Sequence, residues 1–233
     1  MKICVISDIH GSTRWKDIVR RERRGVDRFV FLGDYFDSKS ANVLSQDQDD
    51  NFADILEFRE EFGRVDLLAG NHDLQYVGGA RTNQYSLLTR ILAGDTLMEL
   101  IREGTLLACA AYDGYLFSHA GVGGVWMDEH GFGEIADINK AFRSRPLVAD
   151  FVERPGSSSK GDDPYQGPLW IRPDSLFETA LPDYDQVVGH TRIKEVTAVA
   201  KGDRRLVFMD TGLREYVVLD TGRAIEHLEI RKV

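Results

Sequence analysis

Five apolar runs in this sequence end in polar side chains that can bind a metal ion or transfer a proton. They lead in turn to Asp8 and His10, to Asp34 and Asp37, to Asn71 and His72, to His119, and to His190. These side chains offer imidazole, carboxylate and amide groups and no thiolate, a set that suits Mn²⁺, Fe or Zn²⁺ better than Ca²⁺ or an iron–sulfur cluster. The residue types therefore favour a metal-assisted reaction.

One aspartate of such a set could bridge two ions. Paired ions about 3.5–4 Å apart activate water and clamp the oxygen atoms of an in-line phosphoryl displacement. A single histidine at a strand end is more often a hydrogen-bonded polar residue than a metal ligand. The joint occurrence of four histidines at such positions therefore indicates a metal site. His130 and His227 have no such position, and we interpret both as structural.

Strands and helices alternate through the first half of the chain. Strand-like stretches at 2–7, 28–33 and 64–70 alternate with helical patterns at 13–24 and 52–62, the second of which should stop at Gly63. Another helix is predicted at 84–102, with apolar positions at Leu87, Leu88, Ile91, Leu92 and Leu100. The polar stretch 39–52 is interpreted as a loop. This alternation favours βαβ units and a largely parallel sheet, whose strands end at one crevice.

The second half of the chain predicts a second sheet packed behind the first. Two strands join at Asp113 and Gly114, a strong hairpin signal, and short strands with turns near 201–203 and 220–222 follow in the last fifty residues. The predicted fold class is therefore α/β, a sandwich of two packed mixed β-sheets flanked by helices.

One domain is expected to span residues 1–233. Its segment 123–184 holds weaker helical patterns at 134–143 and 174–180 and a stretch rich in glycine, serine, aspartate and proline at 154–168. We interpret 123–184 as a cap-like or substrate-shaping insertion.

The net charge and the composition limit the classes of binding partner and the compartment that are expected. A formal net charge of -9 and a pI near 5.2 disfavour nucleic acid and anionic membranes, so the basic run at 20–24 is interpreted as a solvated helix face. No apolar run reaches the roughly 18 residues of a membrane span, and the first ten residues lack the pattern of a signal peptide. Cys4 and Cys109 lie in apolar runs without metal-site spacing, which predicts buried thiols and a cytoplasmic protein.

The motifs that carry these side chains resemble a known family. "DIHG" (8–11), "GDYFD" (33–37), "GNHD" (70–73), "SHAG" (118–121) and "GHT" (189–191) occur in the order found in the calcineurin-like metallophosphoesterases. They are most similar to the small bacterial and phage PPP-type serine/threonine protein phosphatases and to the symmetrical dinucleoside tetraphosphatases. "VFMDTG" (207–212) also resembles a late strand segment of that branch.

This resemblance implies a dinuclear centre of two divalent or trivalent ions, with Mn²⁺ expected first and Fe or Zn²⁺ as alternatives. It implies that Asp8, His10 and Asp34 hold one ion, and that Asp34, Asn71, His119 and His190 hold the other. A hydroxide shared by the ions would attack phosphorus while His72 protonates the leaving oxygen. Asp37 would orient His72 and keep it cationic, and Asp73 is expected to orient its loop rather than to bind metal.

Two departures from the family pattern refine the expected substrate contacts. Many phosphodiesterase members have a second histidine where this chain has Arg192, which favours the PPP-type branch. Ser38 occupies the position where the eukaryotic PPP enzymes have a phosphate-gripping arginine. Arg172, in a "PLWIRP" segment at 168–173, is the candidate for a remaining phosphate contact, and Arg192 is a second one.

Three functions are compatible with these residues. The first is hydrolysis of phosphomonoesters, in proteins or in small molecules. The second is hydrolysis of a bis(5'-nucleosyl) tetraphosphate or of a nucleic-acid phosphodiester. The third is a metal-stabilised scaffold without enzymatic activity, which would need the metal ligands but not the acid His72. For both enzymatic functions the expected partner is a phosphorylated substrate, which is a protein, a small phosphoester or a nucleotide. Binding to a membrane is not expected, and binding to nucleic acid is disfavoured.

Overall fold

Two packed sheets and their covering helices make up the computed structural model, which describes residues 1–155, 161–222 and 228–233. The strands are β1 (Lys2–Ile6), β2 (Arg28–Phe31), β3 (Val65–Leu68), β4 (Leu106–Leu107), β5 (Cys109–Tyr112), β6 (Tyr115–Ser118), β7 (Asp185–Val188), β8 (Thr197–Lys201), β9 (Arg204–Phe208), β10 (Glu215–Asp220) and β11 (Glu229–Lys232). The helices are α1 (Trp15–Glu22), α2 (Ser45–Phe62), α3 (Asn71–Leu74), α4 (Leu87–Glu103), α5 (Gly124–His130), α6 (Ile135–Ser144) and α7 (Pro173–Thr179). Short 3₁₀ turns follow at Gln75–Val77 and Pro146–Ala149.

The strand order brings the predicted strand ends to one side of the molecule. The first sheet has the order β11-β10-β1-β2-β3-β4, and its strands β1 to β4 are parallel. The second has the order β5-β6-β7-β9-β8, with β6, β7 and β9 parallel. The predicted α/β class, the parallel inner strands and the second mixed sheet are therefore confirmed.

Both faces of the central strands are buried, which explains their continuous apolar runs. Alternate residues of β1 and β2, such as Ile3, Val5 and Val30, pack against Phe117 and Val187 of the second sheet. The other face of the first sheet is covered by helices. Its core includes Cys4, Ile6, Phe29, Phe31, Trp15, Phe52, Ile55, Phe58 and Leu97. The sandwich and its helical layer thus follow directly from the two-residue side-chain period of the strands.

Helix ends follow the sequence signals for termination. Gly63 and Gly104 follow α2 and α4 with φ angles of 77° and 80°, the left-handed conformation that glycine adopts without steric cost. The helical patterns predicted at 13–24, 52–62, 84–102, 134–143 and 174–180 all correspond to helices. The hairpin turn at Asp113 and Gly114 is also confirmed, with φ angles of 48° and 84°.

The expectation of a loop throughout 39–52 is wrong, because α2 begins at Ser45. Asp47 Oδ2 accepts a hydrogen bond from the backbone N–H of Leu44 at 2.8 Å and so caps the helix start. Gln48 and Asn51 are buried, where Gln48 accepts from the backbone of Ser38 and Asn51 accepts from Trp15. The polar residues of these first turns therefore hold neighbouring loops, although their polarity is typical of a loop.

The apolar positions of the helix predicted at 84–102 do not coincide with its buried face. Leu87, Leu88 and Ile91 are 67%, 53% and 68% exposed, whereas the buried side of α4 carries smaller residues such as Ala93. A Cβ added at Gly94 would lie 2.9 Å from the carbonyl oxygen of Tyr76. The close approach of α4 to the Gln75–Val77 turn therefore selects small residues at Ala93 and Gly94, while Leu97 and Ile101 fill the core further along the helix and Leu87, Leu88 and Ile91 lie outside.

The segment 123–184 is only partly peripheral. Trp126 of α5 and Ile138 and Phe142 of α6 are fully buried in the core. The stretch 154–168 includes residues 156–160, which lie outside the described residues, as does His227. Cys4 and Cys109 are buried free thiols, as predicted. Among the described helices, none is long and apolar enough to cross a membrane.

Candidate active site

The turns that follow the parallel strands have an unusual backbone. Asp8, His10, Asp34, Asp37 and His190 all have positive φ angles, from 40° to 66°, and they are five of the seven non-glycine residues with this conformation in the described chain. A left-handed conformation costs an L-residue about 1–2 kcal/mol, so the surrounding structure must hold each turn in place. Such outliers concentrate at functional sites.

Two glycines are required by the close packing of carboxylates against these turns. A Cβ at Gly70 would lie 2.1 Å from Asp34 Oδ1, and a Cβ at Gly189 would lie 2.2 Å from Asp8 Oδ2. Any side chain at either position would displace a carboxylate. The glycines that end the apolar runs therefore admit Asp34 and Asp8 to the site.

Four of the predicted ligands form one cluster around the Nε2 atom of His119. This atom lies 3.0 Å from Asn71 Oδ1, 3.1 Å from His190 Nδ1 and 3.4 Å from Asp34 Oδ1. The other ring nitrogen of His119 donates to the carbonyl oxygen of Leu32 at 2.8 Å. Its Nε2 atom is therefore left with a lone pair that faces the cluster.

The spacing of this cluster fits a single metal ion. Two ligands bound to one ion at about 2.0–2.2 Å lie about 3.0 Å apart at a right angle and about 3.4 Å apart at a tetrahedral angle. The observed separations between Asn71, His119, His190 and Asp34 run from 3.0 to 3.4 Å. The donor atoms thus already surround a point at bonding distance.

A second group of predicted ligands lies on the other side of Asp34. The Nε2 atom of His10 is 3.5 Å from Asp34 Oδ2, while its Nδ1 atom bonds the carbonyl oxygen of Phe36 at 2.9 Å. Asp8 Oδ1 accepts from the backbone N–H of His190 at 3.0 Å, whereas Asp8 Oδ2 is buried and has no hydrogen-bond partner within the described residues. A cation would satisfy this oxygen, because an unpaired buried charge is costly.

The electrostatics of the two carboxylates also fit a bound cation. One ligand atom each from Asp8, Asp34 and His119 lie within 4.8 Å of one another. Burial, with repulsion from Asp210 and Asp34, raises the pKa of Asp8 well above its ordinary value. For Asp34 burial acts in the same direction, but the surrounding imidazoles outweigh it and lower the pKa. Two buried carboxylates can both ionise here only if positive charge lies between them.

The histidines of the cluster are in the state that metal binding requires. Burial lowers the pKa of His119, and burial together with repulsion from His119 and Arg172 lowers the pKa of His190 well below its ordinary value. Both imidazoles are therefore neutral at pH 7, with a lone pair available for a metal.

His72 lies outside the ligand cluster and has the opposite electrostatic behaviour. Its Nδ1 atom lies 2.6 Å from Asp37 Oδ2, and Asp37 also accepts hydrogen bonds from Gln75 and from the hydroxyl of Tyr76. Burial lowers the pKa of His72, but the Asp34 and Asp37 carboxylates outweigh it and raise the pKa above the ordinary value. The pair can therefore hold a proton near neutral pH.

Asp73 fixes the two loops that carry these groups. Its carboxylate accepts from the backbone N–H groups of Gly70, Asp34 and Tyr35, each at 2.8 Å. Both oxygens of this carboxylate are thus engaged by the backbone, in agreement with the orienting role expected from the sequence.

A cavity of about 450 Å³ opens beside the cluster. It is lined by Asn71, His72, Ala80, Arg81, Thr82, Asn83, Gln84, Phe151, Trp170 and Arg172. Arg172 donates from Nη1 to Thr191 Oγ1 at 3.2 Å, next to the His190 ligand position. Arg192 is not among the lining residues; its side chain is 52% exposed and donates to Asp210 Oδ1 at 2.9 Å. Of the two arginines predicted to contact phosphate, Arg172 therefore faces the cavity and Arg192 does not.

Several residues of this site were not singled out from the sequence. Gln75 and Tyr76 hold Asp37, and Thr82 Oγ1 lies 3.3 Å from His72 Nδ1. The sequence signal that could have found Gln75 and Tyr76 is their place two and three residues after the "GNHD" motif, whereas Thr82 has no such signal. Trp170 also lines the cavity, with its ring centroid 5.1 Å from that of Phe151.

Solved structures with the same architecture are phosphatases and related proteins. A variant of a cold-active protein tyrosine phosphatase gives a TM-score of 0.65 with 17% identity, over 99% of this chain and 77% of that one. A serine/threonine phosphatase from Saccharomyces cerevisiae gives 0.55 with 16% identity, over 99% and 79%. A candidate diadenosine tetraphosphatase gives 0.54 with 14% identity, over 99% and 93%. At these identities the likeness concerns the fold alone.

The family itself is shown by sequence. No curated protein matches this chain at a significant level. The family model of the calcineurin-like phosphoesterases matches residues 1–195, a span that includes every predicted metal ligand. Members of this family are metal-dependent phosphoric ester hydrolases, in agreement with the donor cluster and the adjacent histidine. The chain therefore belongs to the calcineurin-like phosphoesterase family and is a phosphoric ester hydrolase.

Proposed function

We propose that this enzyme is a dinuclear metal-dependent phosphomonoesterase of the PPP type. The observation that carries the proposal is the position of a metal-ligand cluster directly beside a proton-holding pair. The oxygen and nitrogen donors around His119 Nε2 converge at 3.0–3.4 Å, and next to them His72, held by the buried Asp37, lies on the wall of the cavity. Arg192, where many phosphodiesterase members have a further histidine, supports the PPP-type assignment.

The ligand sets follow the two groups of side chains. We assign Asp8, His10 and Asp34 to one ion, and Asp34, Asn71, His119 and His190 to the other. Mn²⁺ is the proposed native ion, since mixed imidazole and oxygen donors suit it, and Fe or Zn²⁺ are the alternatives. When bound, such an ion pair supplies an activated water and neutralises charge on the phosphoryl oxygens.

His72 acts as the general acid in this scheme. Asp37 occupies its Nδ1 atom at 2.6 Å, which leaves the Nε2 proton for the oxygen of the leaving group. Protonation matters because an alkoxide is a poor leaving group, and a positioned acid contributes about 10² to 10⁴ in rate. The guanidinium of Arg172 binds phosphoryl oxygens from the wall that carries Thr191.

The same groups argue against a scaffold without activity. A scaffold would need the ligand cluster, but it would not need a histidine whose pKa is raised by a carboxylate held by Gln75 and Tyr76. Hydrolysis of a dinucleotide polyphosphate remains an alternative for the same catalytic groups. Within 123–184, we assign the substrate-shaping role to Phe151, Trp170 and Arg172, which face the cavity. The buried free thiols Cys4 and Cys109 support a cytoplasmic, reducing location.

Hydrolysis of a small substrate panel in the presence of Mn²⁺ tests the proposal. The panel contains para-nitrophenyl phosphate, its bis ester, a phosphopeptide and diadenosine tetraphosphate, each measured beside Asp34→Asn and a chelator control. We expect metal-dependent cleavage of monoesters in preference to the bis ester, with no turnover by the variant. Preferred cleavage of the bis ester or of the dinucleotide would replace the phosphomonoesterase by the corresponding alternative. No cleavage with two ions bound would favour the scaffold.

A further inference from the structure

One wall of the cavity is a short loop, residues 78–86, that leaves the Gln75–Val77 turn through Gly78 at a φ of 108°. Its backbone is anchored on both sides of Arg81. The N–H of Ala80 donates to the Asp150 carboxylate at 2.9 and 3.0 Å, and the N–H of Thr82 donates to Gln75 Oε1 at 2.9 Å. Arg81 is therefore presented from a fixed backbone, which lowers the entropic cost of binding a ligand.

The Arg81 side chain is exposed at the cavity and has no carboxylate partner within the described part of the chain. Its guanidinium carbon lies 4.2 Å from the ring centroid of Tyr85. Tyr85 stacks on Tyr76 at 5.4 Å, and the hydroxyl of Tyr76 donates to Asp37. The ring of Tyr85 thus orients the guanidinium of Arg81, and the N–H donors of the guanidinium stay available to an anion.

The position of the loop decides which part of a substrate Arg81 would meet. Thr82 Oγ1 lies 3.3 Å from His72 Nδ1, so the loop belongs to the wall that carries the general acid. Arg172 lines the same cavity from another part of the chain, where it donates to Thr191 next to the His190 ligand position. With His72 as the acid that protonates the leaving oxygen, the loop beside His72 would meet the leaving group, and Arg172, beside the ligand cluster, would meet the phosphoryl group that is transferred.

We propose that Arg81 determines specificity by binding an anionic group on the leaving group of the substrate. This inference rests on the proposed function, because the acid role of His72 identifies the wall. The substrate class is a phosphoester or phosphoanhydride whose leaving group carries a carboxylate or a further phosphate near the scissile bond. A chain of net charge -9 would otherwise repel such a leaving group, and the neighbouring Asn83 and Gln84 are neutral donors.

A matched pair of aryl phosphates tests this role. The leaving groups of 4-carboxyphenyl phosphate and 4-carbamoylphenyl phosphate have nearly the same size and differ by one negative charge. We expect the Mn²⁺-loaded enzyme to have the higher kcat/KM for the carboxylate. Arg81→Gln should lower that preference about tenfold, mainly through KM, because one charge-assisted contact is lost. Arg81→Lys should keep part of it, and Arg24→Gln, an exposed arginine remote from the cavity lining, should leave it unchanged.

Each outcome of this measurement decides the inference. An unchanged preference in Arg81→Gln, or equal use of both substrates by the wild type, would make Arg81 a merely structural partner of Tyr85. Hydrolysis of neither substrate by the loaded wild type would refute the proposed function and this inference with it. Two further pairs identify the source of the anion: adenosine diphosphate against adenosine monophosphate, and phosphoserine peptides with an acidic or a neutral neighbour. The pair that responds to Arg81→Gln names the natural class.

Discussion

Replacing His72 by asparagine should separate the acid from the metal ligands. The imidazole contacts Asp37 at 2.6 Å and lies outside the His119 cluster, while the backbone N–H of residue 72 bonds Asp34 Oδ1 at 3.0 Å and is kept in the variant. Metal content should therefore stay at the wild-type level. Turnover should fall about 10²- to 10⁴-fold for alkyl phosphates, the range of a positioned general acid. This range equals about 2.7–5.4 kcal/mol of barrier height, at 1.36 kcal/mol per tenfold change.

A series of phosphomonoesters with graded leaving groups provides the assay. Esters of good leaving groups such as nitrophenolate need little protonation, so the His72→Asn variant should approach wild-type turnover with them and depend more steeply on leaving-group acidity. His130→Asn is the matched control, since His130 binds the carbonyl oxygen of Trp126 at 2.9 Å and does not line the cavity. Loss of metal from His72→Asn would make His72 a ligand. An equal loss for every leaving group would refute its acid role.

Three further predictions concern the other groups of the site. Asp34→Asn should lower metal content and abolish turnover, because both ligand sets share this carboxylate; full activity with two ions bound would contradict the assignment. Arg172→Ala should raise KM for phosphomonoesters. Arg192→Ala should leave KM unchanged, because Arg192 binds Asp210 and does not line the cavity. Measuring KM and metal content of both variants checks this pair of predictions. Asp37→Asn should move the basic limb of the pH profile to lower pH. The Asp37 carboxylate raises the pKa of His72, and the acid is active only below that pKa, so neutralising residue 37 lowers the pH at which activity is lost. An unmoved limb in kcat/KM against pH would show that another group titrates there.

The strand ends illustrate what local sequence can predict. Each ligand follows an apolar run, and parallel strands bring their carboxyl ends to one crevice, so the convergence of Asp8, Asp34 and Asn71 could be expected from the order of the residues alone. The glycines at 70 and 189 supported the same expectation, and their lack of a Cβ is what admits the two carboxylates. The motif spacing thus indicated most of the side chains that the fold brings together in the donor cluster.

Two helices illustrate where local sequence is insufficient. The polar start of α2 resembles a loop because the buried residues Gln48 and Asn51 use their polar groups in tertiary bonds, to the backbone of Ser38 in the preceding loop and to Trp15, 36 residues away. In α4 the predicted helix is present, but several of its apolar positions are exposed. The close approach of the Tyr76 carbonyl oxygen at Gly94 requires a small residue there, and no periodicity reports that contact.

The sequence by itself indicated the fold class, most of the order of the elements and the residues of the candidate metal site, because apolar periodicity and strand-end motifs are local properties. Only the tertiary structure decided which arginines face the cavity. Arg172 and Arg81, which are far apart in the chain, both line it, whereas Arg192 is paired with Asp210 and is not among the lining residues. An arginine can bind either a substrate or a carboxylate of the protein itself, and the sequence does not distinguish the two. Which one it binds depends on contacts between distant parts of the chain.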